Sequence, residues 1–207
     1  MDERNEPADI HHLVTYYPRW SPQHDDASRL LVDALAGGLP AVRHFARKLR
    51  HHLPEHAVLT ALPPKTPGHS CPGADALIAE LCRHGSHSDG RPLLIRRCRV
   101  SGFGCREARS YERHVRSLAV TNPSVIVGRV VVVVQMLCRS AVPLQAAIAR
   151  LREAGAAAVY PRCVGARPHG SAGDDSLLLP AVTESQREGA PGQAAIRTVS
   201  IRLRGVQ

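Results

Sequence analysis

Aromatic residues are scarce in this 207-residue chain: one Trp, two Phe and four Tyr, 3% of the total. Its core must therefore be built from Val, Leu, Ile and Ala, and its basic stretches lack the interleaved rings that stack on nucleobases. No apolar run approaches the roughly 20 residues needed to span a bilayer, so no membrane partner is expected. Met1 to Asp9 is acidic and polar, with no apolar segment after it, and so lacks the pattern of a secretory signal. The expectation is a soluble, cytoplasmic protein. No internal repeat is evident.

Paired cysteines are missing as well. Cys71, Cys82, Cys98, Cys105, Cys138 and Cys163 include no C-x-x-C, which argues against a zinc site and, in a cytosolic chain, against a disulfide scaffold. Cys82, His84 and His87 read as a helix end and a polar loop. His51 and His52 are adjacent and would point about 100° apart on a helix, and Pro54 interrupts the spacing of His52 and His56. No metal ligand and no catalytic residue is assigned; Cys138 has no identifiable base beside it and reads as a packed thiol.

Positive charge is abundant. Lys and Arg number 27 against 18 Asp and Glu, a net +9 that asks for an anionic ligand or partner. Basic residues gather at Arg43 to His52, Arg91, Arg96 to Arg99 and Arg106 to Arg116. Along Pro40 to Leu53, Val42, Phe45, Ala46, Leu49 and Leu53 share one helical face and the cations take the other, so helical patterning alone accounts for that run. A phosphate-rich small ligand satisfies the charge with fewest assumptions. A nucleic-acid partner is the alternative, although no recognisable motif supports it.

The most informative stretch is Gly128 to Gly155, GRVVVVVQMLCRSAVPLQAAIARLREAG. Val130 to Val134 have no polar alternation, which predicts a strand covered on both faces, as in parallel sheets. Leu144, Ile148 and Leu151 recur at helical spacing among alanines, and Gly155 is placed to end that helix. The loop from Gln135 to Pro143 is then expected at the carboxyl end of the strand, where open α/β sheets bind ligands.

This stretch resembles the strand, loop and helix of the type I phosphoribosyltransferases, closest to the competence-protein-F-like, amidophosphoribosyltransferase-like group. There a run of valines leads into two acidic residues and then a Thr-Thr-Gly or Thr-Ser-Gly turn. The resemblance implies that the acidic pair holds the ribose hydroxyls of phosphoribosyl pyrophosphate (PRPP) and that the turn wraps its 5′-phosphate. In this chain the pair falls on Gln135 and Met136, and the turn on Arg139, Ser140, Ala141, Val142 and Pro143, of which only Ser140 keeps the expected type. Gln135 brings no negative charge, Met136 offers no such ligand at all, Ala141 restricts the backbone and Pro143 removes an N–H, while Arg139 can grip a phosphate bidentately. So local a block of change has two explanations: replacement or decay of the site, or a pair of compensating reading-frame shifts.

Upstream, Ala57 to Leu62 reads as a strand and Ala74 to Cys82 as a helix, and the resemblance places its pyrophosphate loop between them, at Pro64, Lys65 and Thr66. A second strand is expected at Pro92 to Ile95. The segment Arg99 to Arg116, with Arg106, Arg109, Ser110, Tyr111, Arg113 and His114, occupies the place of the family's mobile hood, for which Arg109, Tyr111, Arg113 and His114 are the candidates. Ala156 to Val164 supplies a returning parallel strand.

The expected architecture is α/β, a mainly parallel central sheet flanked by helices, with loosely ordered termini. Residues 1–26 read as a partly disordered arm carrying Tyr16-Tyr17-Pro18-Arg19-Trp20, 27–165 as the phosphoribosyltransferase-like domain, 166–193 as a disordered linker and 194–207 as an added edge strand. The expected function is binding of a phosphoribosyl or other phosphorylated ligand after the Val130 to Val134 strand, with weak or no catalysis and no cofactor. The alternatives are an active transferase using PRPP and Mg2+, and a basic nucleic-acid-binding protein.

Overall fold

A computed structural model describes residues 11–83, 85–100 and 110–168. In chain order the elements are β1 (His11–Thr15), α1 (Asp26–Leu35), α2 (Leu39–Arg50), β2 (Val58–Ala61), α3 (Pro72–Arg83), β3 (Ser88–Asp89), β4 (Leu94–Arg96), α4 (Tyr111–Ser117), β5 (Leu118–Val120), β6 (Val130–Cys138), α5 (Val142–Glu153) and β7 (Ala158–Ala166). Five strands form one parallel sheet in the order β1-β7-β6-β2-β3. This is the mainly parallel α/β architecture that the alternation of strand and helix signals predicts.

The valine run is the middle of that sheet. Val131 to Val134 are fully buried, flanked by β2 in the register Val58↔Val131 to Ala61↔Val134 and by β7 in the register Val131↔Val159 to Val134↔Arg162. A strand with a layer on each face has no use for polar alternation, and each buried valine contributes about 1.5–3 kcal/mol of transfer free energy. Val132, Val134 and Met136 pack with Leu31, Phe45 and Leu77 from α1, α2 and α3. Val131 and Val133 pack on the other face with Leu144 and Leu151 of α5 and with Leu118. Gly155 ends α5 at φ +97°, and the next N–H, that of Ala156, donates back to the Leu151 carbonyl.

Four features depart from the sequence reading. The valine strand runs four residues further, to Cys138, because β7 is equally long and pairs with it as far as Cys138↔Ala166. Gln135 and Met136 are thus strand residues, and the connection to α5 is only residues 139–141. The strand expected at Pro92 to Ile95 is Leu94–Arg96, and it lies outside the parallel sheet, paired antiparallel with β5. Residues 11–15, within the stretch read as an arm, form β1, an edge strand registered on β7 from His11↔Arg162 to Thr15↔Ala166. Beyond Pro168 the linker and the C-terminal strand lie outside the described residues, as do Arg106, Arg109 and Cys105 of the hood segment and His84.

Candidate functional site

The carboxyl ends of β2 and β6 open onto a cavity of about 340 Å³. Several segments reach it, among them three that carry candidate residues. Pro64 and Lys65 come from the loop after β2, Gln135, Met136, Arg139 and Pro143 from the end of β6 and the start of α5, and His114 from α4. Some of the residues that the resemblance assigns to a pyrophosphate loop, a ribose and phosphate turn and a hood therefore line one space.

Other candidates fall elsewhere. Thr66 lines a second cavity, of about 380 Å³, which shares Leu62, Pro63, Pro64, Cys71 and Arg96 with the first. Ser140, Ala141 and Val142 are not among the lining residues of the first cavity, and neither are Tyr111 and Arg113 of α4. Tyr111 is exposed at the start of that helix, which Ser110 caps by accepting the Arg113 N–H at 3.4 Å.

The turn leading into α5 is short and internally bonded. The Ser140 hydroxyl accepts the Val142 N–H at 3.3 Å, and the Cys138 thiol donates to the Ser140 carbonyl at 3.5 Å. Ala141 is buried and sits at φ −71°, so this turn does not call on the left-handed conformation that glycine supplies. With the Val142 N–H committed and Pro143 lacking one, the helix start has few donors left for an anion.

Gln135 and Met136 differ sharply. Met136 is 2% exposed and belongs to the core beneath α1, α2 and α3. The Gln135 amide donates to the Leu137 carbonyl at 3.0 Å, and its oxygen, shielded from solvent, has no partner. Neither supplies a carboxylate. None of the described residues lining the first cavity is Asp or Glu, whereas Lys65, Arg96, His114 and Arg139 all line it.

Arg96 is the residue that sequence reasoning missed. It stands in the basic run Arg96 to Arg99, yet it is 6% exposed while Ile95, Arg97 and Arg99 point outward. Its Nε donates to the Pro64 carbonyl at 2.9 Å, Nη2 to the Pro63 carbonyl at 3.5 Å and Nη1 to the Ser117 hydroxyl. Burial pushes its pKa below the ordinary arginine value. The available signal was the two-residue period Leu94, Arg96, which puts both side chains on one face of β4.

Among the described residues no group of three or more His, Cys, Asp or Glu is placed to hold a metal ion. The chemistry of the first cavity agrees: Mg2+ demands oxygen ligands, and an amide and a thioether stand where the resemblance expects two carboxylates. Among the described residues no helix is long and apolar enough to cross a membrane.

No family model matches the chain, and no curated protein matches it. Among solved structures, it is similar to the allosteric regulatory enzyme of purine biosynthesis at 23% identity and a TM-score of 0.42, over 61% of this chain. The matched region spans 26% of that enzyme's chain.

Proposed function

We propose that the protein binds a phosphorylated small molecule, of phosphoribosyl type, in the cavity at the carboxyl ends of β2 and β6, with weak or no transfer chemistry. The observation that carries this reading is the charge of the lining: Lys65, Arg96 and Arg139, with His114, and no carboxylate among the described lining residues. An anion entering the space meets Lys65 and Arg139 at its exposed rim and the buried Arg96 guanidinium in its wall. The resemblance of Gly128 to Gly155 to the phosphoribosyl-binding strand and helix narrows the anion to a sugar phosphate. Gln135 and Met136 give a metal-bridged pyrophosphate no charged ligand, and for that reason turnover is not part of the proposal.

Titration calorimetry with PRPP, with and without Mg2+, tests it. Binding that does not need Mg2+ and weakens on Lys65→Ala or Arg139→Ala is the expected result. Tight binding only with Mg2+ would instead identify an active transferase. An absence of binding under both conditions would reject a phosphoribosyl site and leave the basic surface to a nucleic-acid partner.

A further inference from the structure

Positive charge collects where the last two turns of α2 meet β7 and the start of β1. We propose that the acidic segment Asp2 to Asp9 docks on this basic face, made by Arg47, Lys48 and Arg50 of α2 and by Arg162 of β7, and covers it. The inference goes beyond the phosphorylated-ligand reading, because none of these four cations lines either of the cavities described above.

The four cations have no counter-charge. Arg47, Lys48, Arg50 and Arg162 take part in no ion pair among the described residues. Glu80 of α3 is taken by Arg83 at 2.7 Å and by Arg43 at 3.8 Å, and Glu55, in the loop after α2, forms no ion pair among the described residues. The Arg50 Nε is shielded from solvent and has no acceptor. Arg162 gives Nε to the His52 carbonyl and Nη1 to the Pro161 carbonyl, both at 2.9 Å, neutral acceptors that leave its charge unbalanced. Histidines add to the crowding. Burial first, then the charges of Lys48 and Arg47, push His44 below the ordinary histidine value, and burial, then Arg162 and His51, do the same to His52. The dipole of α2 favours cations at its last turn, but it amounts to about half a charge and so balances only a fraction of four.

The path of the chain selects the occupant. His11, the first described residue, is registered on Arg162 across a strand spacing of about 4.8 Å, and the two line one small void with His52. Before it come Asp2, Glu3, Glu6 and Asp9, four carboxylates against the single Arg4. Eight extended residues reach about 26–29 Å, further than the roughly 18 Å length of the 12-residue α2, so the segment can place its carboxylates along the whole face. Because the segment is joined to β1, these groups meet the cations at an effective concentration in the millimolar range, which a separate acidic partner would have to exceed. A nucleic acid fits less well, since Tyr160, the exposed ring beside Arg162, already carries that guanidinium over its face at 5.6 Å.

The test uses the full chain and a zero-length carbodiimide cross-linker, which joins a carboxylate to an amine in contact with it. Lys48 and Lys65 are the only lysines, so Lys65, which lines the first cavity, is the internal control. Mass spectrometry of the monomer band should find peptides linking residues 2–9 to Lys48 in at least about tenfold excess over links to Lys65, as a tethered contact requires. In 1 M NaCl, where the Debye length is about 3 Å, the Lys48 link should fall at least about threefold. Arg47→Glu, at an exposed position, should lower it as well. Equal linkage to the two lysines, no linkage to Lys48, a Lys48 link that neither salt nor Arg47→Glu weakens, or links found only in a dimer band would overturn the proposal. No phosphorylated ligand is present, so failure here leaves the calorimetric result with PRPP standing, and the reverse holds as well.

Discussion

The Arg96 guanidinium donates to the Pro64 carbonyl at 2.9 Å, joining β4 to the loop that follows β2. The same side chain reaches Ser117 at the end of α4. One buried cation therefore ties together two of the segments around the first cavity, and among the described residues no carboxylate pairs with it.

Removing that cation should loosen both segments. Arg96→Met removes the donors to the Ser117 hydroxyl and to two carbonyls, and should cost about 1–3 kcal/mol by urea unfolding. Arg96→Lys should recover only part of this, since an ammonium lacks the planar fork that holds separated acceptors. Pyrophosphate should raise the melting temperature of the natural protein more than that of Arg96→Met. Equal shifts in the two would mean that Arg96 plays no part in anion binding.

Restoring the acidic pair should fail at one of its two positions. Met136 is packed among Leu31, Phe45 and Leu77, so Met136→Glu buries a carboxylate with no partner and should cost more than about 3 kcal/mol at neutral pH. Met136→Leu conserves volume and should cost less than about 1.5 kcal/mol. Gln135→Asp, at the half-buried position lining the cavity, should leave a folded protein. Thermal melts of the three variants check the ranking.

The start of α1 should respond to acid. Asp25 caps the helix by accepting the Ser28 N–H at 2.8 Å, and hydrogen bonding with the Ser28 side chain, more than with its backbone, holds the carboxyl below the ordinary 3.8. A depressed carboxylate pKa contributes stability that is complete above the unfolded value and is lost as pH falls through the lower folded value. Asp25→Ala should therefore cost about 0.5–2 kcal/mol at neutral pH, and the gap between natural and variant protein should close in strong acid. A gap independent of pH would show that the charge of Asp25 contributes nothing.

The readable parts of the fold were those written in local pattern. Five valines without alternation specify a two-sided strand, and Leu144, Ile148, Leu151 and Gly155 specify the helix and its stop, whatever else the chain does. The pairing of β4 with β5 joins residues more than twenty positions apart across the hood segment, and nothing local in Leu94–Arg96 names its partner. β1 was hidden for the same reason, since a short edge strand is selected by the neighbour it meets. The candidate site was legible only as loops that meet around one cavity, because carboxyl ends of parallel strands bring such loops together. It was illegible at Arg96, where three arginines in a run of four residues read only as a gathering of positive charge and the pleat turns one of them inward.

β1 and β7 carry one more consequence. The first described strand lies beside the last, with the Tyr16 N–H donating to the Ala166 carbonyl at 2.8 Å. During synthesis β1 leaves the ribosome long before its described partner β7, and nearly all of the described chain must follow before the two can pair. The sheet is completed late by a contact of very long sequence separation, the kind that slows folding. Until then the exposed flank of β7 is open to any other extended segment, including β1 of a second nascent copy, so exchange of this strand between chains is the misassembly that the topology invites.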